Sequence, residues 1–197
     1  MAENSRGRNA IIVHGMHGYK DVCNPDLASP SNRAWLPWLQ TQLIARGILT
    51  QTPEFPAPWA PLYEIWAKEL ERYDLGENTI LIGHSAGGGF LLKWLRRHPK
   101  VKLQTVILVA PWLDPDKDFQ KRGAPDFVAP EDLDPKITGR AQKFVVFESD
   151  NDIETIQKSA KILRAKIPNL DVREFHGYDH FNKIDEFPEL LDEILAE

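Results

Sequence analysis

The sequence predicts an α/β fold: a three-layer α/β/α sandwich on a sheet of six parallel strands. Three observations predict it. Short apolar runs alternate with longer amphipathic stretches along the chain. Two of the runs, Ile80-Leu81-Ile82 and Val106-Ile107-Leu108-Val109, are continuous and rich in branched residues, as strands covered on both faces are. Helical patterns lie between the runs, and parallel neighbours need such crossovers.

Each element has its own signal. The first run is Ala10–His14. The helical pattern Trp35–Arg46 ends at Gly47, a left-handed helix stop. After the second run, Ile48–Thr52, the pattern Pro61–Tyr73 opens with proline in its first turn and ends before Gly76. Thr79–Gly83, the third run, leads almost directly into a helix over Ala86–His98, closed by Pro99. Thr105–Val109 and Phe144–Phe147 are the fourth and fifth runs. A helix over Ile153–Ile167 ends before Pro168, Val172–Phe175 is the sixth run, and Pro188–Ala196 is a closing helix. No internal repeat occurs, so residues 1–197 read as one domain. One connection is unusually long. Residues 111–142 hold five prolines, with seven acidic side chains against five basic ones. A connection of this length reads as a small lid over a site at the strand ends, or as a solvated excursion with a turn of helix.

Composition excludes several classes. A hydrophobic fraction of 42% and a charged fraction of 27% exclude general disorder. A net charge of −5 without any basic run argues against nucleic-acid binding. No stretch approaches the roughly 18 apolar residues of a membrane span. The first eight residues run into Ala10–Val13 with no long apolar region behind them, unlike a secretory signal. Cys23 is the one cysteine, which rules out an intramolecular disulfide and fits a reducing, cytoplasmic setting.

The most informative segment is Gly83-His84-Ser85-Ala86-Gly87, a G-x-S-x-G pattern. A buried strand precedes it and a helix follows it, the context in which this turn exposes a strained serine hydroxyl. The helix N-terminus adds backbone donors and a positive dipole end for a developing oxyanion. Phosphate-loop and dinucleotide-binding fingerprints are absent.

The first run ends in Val13-His14-Gly15-Met16-His17-Gly18. A loop here can present a backbone N–H beside the serine: Met16 is the first choice and His17 the alternative, with Ala86 the second donor. A metal site from His14, His17, Asp21 and Cys23 is disfavoured, because the ligands lack a zinc spacing. No cofactor is implied.

A serine nucleophile needs a base, and the base an orienting carboxylate, in the chain order serine, acid, histidine. That order disfavours His14, His17 and His84. His98 sits at a helix end, where it serves the helix dipole. Between the last two histidines, His180 is favoured: it lies beyond Gly177 on a loop that can fold back, whereas His176 is close enough to the last strand to point into the sheet margin. Asp150 and Asp152 are both candidates for the acid. Asp152 has a structural alternative as a helix N-cap; Asp150 is placed to brace the turn through its own backbone.

Four segments carry a resemblance over nearly the whole chain: the His14-Gly15 loop, Trp35-Leu36-Pro37-Trp38-Leu39, Gly83–Gly87, and Asp179-His180-Phe181. They resemble the small α/β-hydrolases of the YdeN-like type, the family that includes retinoblastoma-binding serine hydrolases. The resemblance implies the strand order 2-1-3-4-5-6, Ser85 as nucleophile, His180 as base and Asp152 as acid. The Val-Pro that often follows the family's acid is missing here, where the text is Asp152-Ile153-Glu154-Thr155-Ile156. The expected activity is hydrolysis of a carboxylic ester or related acyl bond, with a small-molecule acyl substrate. Trp112, just past the fourth run, and His17 are candidate substrate-lining residues; Trp112 equally suits an anchor for the long connection. The other readings are a non-catalytic binding protein on the same scaffold, or acyl transfer and aminopeptidase-like chemistry by the same residues.

Overall fold

In a computed structural model of the chain, residues 7–121 and 127–196 are described. Residues 1–6, 122–126 and 197 of the expected 1–197 domain lie outside them, as does that part of the 111–142 connection.

Six parallel strands run β1 (Asn9–Val13), β2 (Leu49–Gln51), β3 (Thr79–His84), β4 (Leu103–Val109), β5 (Ala141–Ser149) and β6 (Asp171–Phe175). Their order is β2-β1-β3-β4-β5-β6, with all pairs parallel. The helices are α1 (Tyr19–Val22), α2 (Trp35–Ile44), α3 (Tyr63–Leu70), α4 (Ala86–Arg97), α5 (Asp118–Lys121), α6 (Glu154–Lys166) and α7 (Pro188–Leu195).

Strand periodicity divides the core in two. Ile11, Val13, Leu81, Val106, Leu108 and Val146 pack with Trp66 of α3, Phe90 and Leu91 of α4, and Leu163 of α6. Their sequence neighbours Ala10, Ile12, Ile80, Ile82, Ile107, Val109 and Val145 face the other way, against Trp35 and Leu39 of α2 and Leu190 of α7. Successive side chains on a strand point to opposite faces, so a central strand must be apolar throughout to satisfy both layers.

Element boundaries follow local chemistry. Past α2, Gly47 adopts φ 79°; its N–H bonds the Ile44 carbonyl and the Ile48 N–H that of Leu43, a Schellman stop. The α3 helix begins at Tyr63 with Leu62 as its N-cap, so Pro61 lies outside it rather than in its first turn. The two four-residue helices, α1 and α5, are too short to leave a periodic signal.

The described part of the long connection is anchored on the core by apolar side chains, with charged residues such as Lys117, Lys121 and Glu131 exposed. Leu113, Phe119, Phe127, Val128, Leu133 and Ile137 are all buried. Asp132 pairs with the buried Lys93 at 3.2 Å, and Lys158 of α6 holds Asp116 at 3.0 Å.

Candidate active site

The β3 strand is buried along its whole length and ends at the turn that presents Ser85. Ser85 has φ 54° and ψ −121°, a conformation that costs a non-glycine residue about 1–3 kcal/mol. Three hydrogen bonds hold it. Its N–H donates to the Val109 carbonyl at 2.9 Å, and its carbonyl accepts from Gly89 at 3.2 Å and Trp112 at 3.0 Å. Close packing explains the glycines behind it. A Cβ on Gly87 would lie 2.5 Å from the His14 carbonyl oxygen, and one on Gly89 only 1.9 Å from that of Trp112. The second constraint falls outside the G-x-S-x-G pattern and is visible only once β4 is placed.

The structure brings Ser85, His180 and Asp152 into one line. Ser85 Oγ is 2.9 Å from His180 Nε2. His180 Nδ1 is 2.9 Å from Asp152 Oδ1 and 3.1 Å from Oδ2. A carboxylate only accepts, so the proton between them sits on Nδ1, and Nε2 is left to accept from the serine hydroxyl. The Asp152 side chain is 1% exposed, and its Oδ1 also accepts the Ile153 N–H at 2.6 Å. The N-cap of α6 is Ile153, not Asp152: the carboxylate, one residue earlier, is turned to the histidine.

Asp150 and His176 form a second pair, 2.8 Å apart. Asp150 Oδ1 accepts the Gly177 N–H at 3.0 Å, so this carboxylate braces the loop after β6 as well as its own turn, where the Asn151 N–H also reaches it. His176 does not point into the sheet margin; its side chain is 83% exposed. The hydrogen bond between the two lowers the Asp150 pKa and raises that of His176.

On the other side of the serine, Gly15 is so close that a Cβ there would stand 3.0 Å from Ser85 Cβ. Met16 and Ala86 line the same pocket as Ser85 and His180. His17 does not. Its N–H donates to the Pro58 carbonyl at 3.3 Å, and its Nδ1 accepts from Arg33 at 3.2 Å. Burial, reinforced by Arg33, pushes its pKa down to about 4. Neither role expected of His17, spare amide donor or pocket wall, fits a residue committed to these partners. His14 is committed too: Nδ1 donates to the Gly15 carbonyl at 2.7 Å, and Nε2 accepts the Phe55 N–H at 2.9 Å. Among the described residues, no group of three or more His, Cys, Asp or Glu is arranged to hold a metal ion. His98 Nδ1 donates to the Trp94 carbonyl at 2.8 Å, at the C-terminal end of α4.

The pocket holds 280 Å³. Met16, Trp112, Phe119, Ile153 and Ile156 supply apolar walls, and Asp118 and Thr155 polar ones. Trp112 lines this pocket and also packs on Phe119 of the long connection, ring centroids 4.8 Å apart. Phe119, Ile153 and Ile156 are walls that sequence reasoning missed. They come from two segments that meet only through the crossovers. The apolar Ile153 directly after a candidate acid was the available signal; the structure leaves it exposed. A larger hollow of 640 Å³ lies at the opposite ends of the strands, lined by Arg8, Asp74, Glu77 and Asn78 among others. Ligands of open parallel sheets bind outside the carboxyl ends of the strands, where Ser85 stands.

Comparison with known proteins bears on the fold and the family. The YdeN protein of Bacillus subtilis strain 168, described as a hydrolase, is 35% identical over 102 residues, 50% of this chain and 49% of that one. The matched stretch thus spans about half the length of that relative. The solved structure of the B. subtilis ydeN gene product superposes with a TM-score of 0.71 at 21% identity, covering 95% of this chain and 97% of that one. MGS-MChE2, an α/β-hydrolase enzyme from the metagenome of Mar Chica lagoon sediments in Morocco, gives 0.62 at 20% identity, covering 96% and 89%. No helix among the described residues is long and apolar enough to cross a membrane. The serine hydrolase family matches residues 13–190, from the end of β1 into α7 and across every segment that builds the pocket, and the chain belongs to that family.

Proposed function

We propose that the chain cleaves a carboxylic ester or related acyl bond through an acyl-enzyme on Ser85. The observation that carries this reading is the continuous line from Ser85 Oγ through His180 to the buried Asp152, opening on an apolar pocket. Ser85 Oγ attacks the acyl carbon while His180 Nε2 takes its proton. Asp152 holds the ring in the Nδ1–H tautomer and stabilises the imidazolium. The Met16 and Ala86 N–H groups face the developing oxyanion, since the His17 amide is already engaged by Pro58. The imidazolium then protonates the leaving alcohol, and water reverses the sequence to release the acid. Besides the substrate and one water molecule, these steps use only groups of this chain.

The pocket supports a small acyl group. Its 280 Å³ lies just below the about 300–1,000 Å³ of drug-sized ligand sites, and its walls are aliphatic and aromatic. We place the activity in the cytoplasm, which the single exposed Cys23 supports.

Labelling with a fluorophosphonate probe, followed by a screen of esters, thioesters and aminoacyl amides, tests the reading. Ser85→Ala should abolish labelling and lower kcat by up to about 10⁶-fold, the scale seen for a protease serine knockout, with the fold kept. A wild-type chain that neither labels nor turns over any acyl substrate would instead be a binding protein on a hydrolase scaffold.

A further inference from the structure

The residue between Gly83 and Ser85 has no part in the chemistry above, yet it touches the base. His84 is buried, at 8% exposure. Its Nε2 lies 2.8 Å from the backbone carbonyl oxygen of His180. A carbonyl oxygen only accepts, so Nε2 carries the proton and donates it. The two imidazole rings are 4.9 Å apart. On another side, Trp35 meets the His84 ring edge to face at 6.0 Å, which restricts its rotation.

The loop that His84 holds is backbone-strained. Asp179 has φ 48° and Phe181 φ 55°, so two non-glycine residues in the left-handed region flank the base. Such a conformation persists only where the surroundings over-determine it. Asn151 holds one shoulder: its Oδ1 accepts the Asp179 N–H at 2.8 Å. Phe181 holds the other, fully buried and stacked on Phe187 at 5.4 Å. Among the described residues, the side-chain hydrogen bond to the His180 peptide carbonyl itself comes from His84.

We propose that His84 is a positioning residue, whose Nε2–H, donated to the His180 carbonyl, keeps the imidazole of the base within hydrogen-bonding distance of Ser85. This rests on the reading of Ser85 and His180 as nucleophile and base. Residues 83–87 then carry both the nucleophile and the anchor of its base, so a single turn of chain sets the distance between them. The anchor also stays uncharged. Burial, with His180 the next contribution, pushes the His84 pKa down to about 3. The other histidines acting on it, His17 and His14, are themselves pushed down by burial. No second imidazolium therefore opposes the proton that His180 takes from Ser85.

Two substitutions separate position from bulk. His84→Gln keeps an N–H donor near the reach of Nε2, whereas His84→Met keeps bulk and removes the donor. With p-nitrophenyl butyrate and a fluorophosphonate probe, His84→Met should lower kcat and the labelling rate about 10- to 100-fold, with KM within about two-fold; a misplacement of the order of 1 Å costs up to about 10². His84→Gln should stay within about three-fold of the unsubstituted chain. A residue that only fills space would change the melting temperature and leave the kcat of the folded protein alone. Imidazole ¹⁵N shifts of the unsubstituted chain give a reading that needs no variant to fold: His84 should remain the neutral Nε2–H tautomer from pH 8 to pH 5. An Nδ1–H tautomer, a fully active His84→Met, or a His84→Gln as impaired as His84→Met overturns the proposal. None of these touches the assignment of Ser85, which falls if Ser85→Ala still labels or if the unsubstituted chain neither labels nor turns over any acyl substrate.

Discussion

Two aspartate–histidine pairs join the loop after β5 to the loop after β6, and they differ in almost everything except distance. Asp152 and His180 meet at 2.9 Å with side chains 1% and 16% exposed. Asp150 and His176 meet at 2.8 Å with side chains 55% and 83% exposed. The first pair ends on a serine hydroxyl; the second ends in water. Two residues of offset along one loop thus separate a dry, directed carboxylate from a solvated one. In the dry pair the charge interaction is weakly screened and can follow a proton moving on the ring. In the wet pair, solvent and salt dilute it, and what remains is the joining of two loops.

The largest effect that tests this contrast is on catalysis. Asp152→Asn should lower kcat by about 10⁴-fold, the size of the corresponding loss in a serine-protease triad, while the chain still folds. Asp150→Asn should keep kcat and melt earlier, because the amide keeps one oxygen for the Gly177 N–H but loses the charge and the second oxygen that His176 faces. Side-by-side kcat and thermal midpoints decide it. An inactive Asp150→Asn beside an active Asp152→Asn would exchange the two roles.

The same pairs show how far a sequence can be read. Six strands and their helices were legible because a doubly covered sheet demands unbroken apolar runs, and the family resemblance supplied their order. Ser85 was legible because its turn needs glycine at fixed offsets between a strand and a helix. The choice of acid was not legible from the residues alone. Asp150 and Asp152 share composition, loop and chain order; only the path of the backbone past Ser149 turns one inward. His17 misled for a similar reason, since nothing local announces that Pro58 and Arg33 engage it. The pocket walls Phe119 and Ile156 were hidden because their meeting depends on how β4 and β5 register. His84 occupies the position that the motif leaves free, so no pattern could single it out.

Asn151 stands between the two aspartates and sharpens the comparison. Its Nδ2 donates to Asp179 Oδ1 at 2.9 Å, and its Oδ1 accepts from Ser149 Oγ at 2.8 Å and from the Asp179 N–H at 2.8 Å. It therefore ties the same loops without any charge of its own. Asn151→Ala should cost about 1–3 kcal/mol of stability, the net scale of its three lost hydrogen bonds. It should also lower kcat several-fold, because the shoulder of the His180 loop loosens. A variant with unchanged kcat and a lower midpoint would show that His84 and Phe181 alone suffice to hold the base.

The smallest expected effect is the pH dependence of the exposed pair. The His176 pKa is raised, first by its hydrogen bond to Asp150, so its contribution is complete below the ordinary histidine value of about 6.5. That contribution is lost as pH rises through the higher value of the folded state. The Asp150 pKa is lowered, first by His176 and then by the Gly177 N–H. Its contribution is complete above the ordinary aspartate value of about 3.9 and is lost as pH falls through the lower folded value. Both are therefore present between about pH 4 and pH 6.5; at alkaline pH the backbone bonds to Asp150 remain and His176 has lost its charge. The midpoint deficit of Asp150→Asn should accordingly be larger at pH 5.5 than at pH 8.5, without vanishing at the higher pH. His176→Gln should show the pH-dependent part alone. His84 and His17, whose pKa values burial lowers, make the whole chain less stable in acid. That slope is common to every variant and cancels in the differences. Equal Asp150→Asn deficits at the two pH values would mean that the charge of the exposed histidine adds nothing, and that Asp150 serves its backbone amide partners.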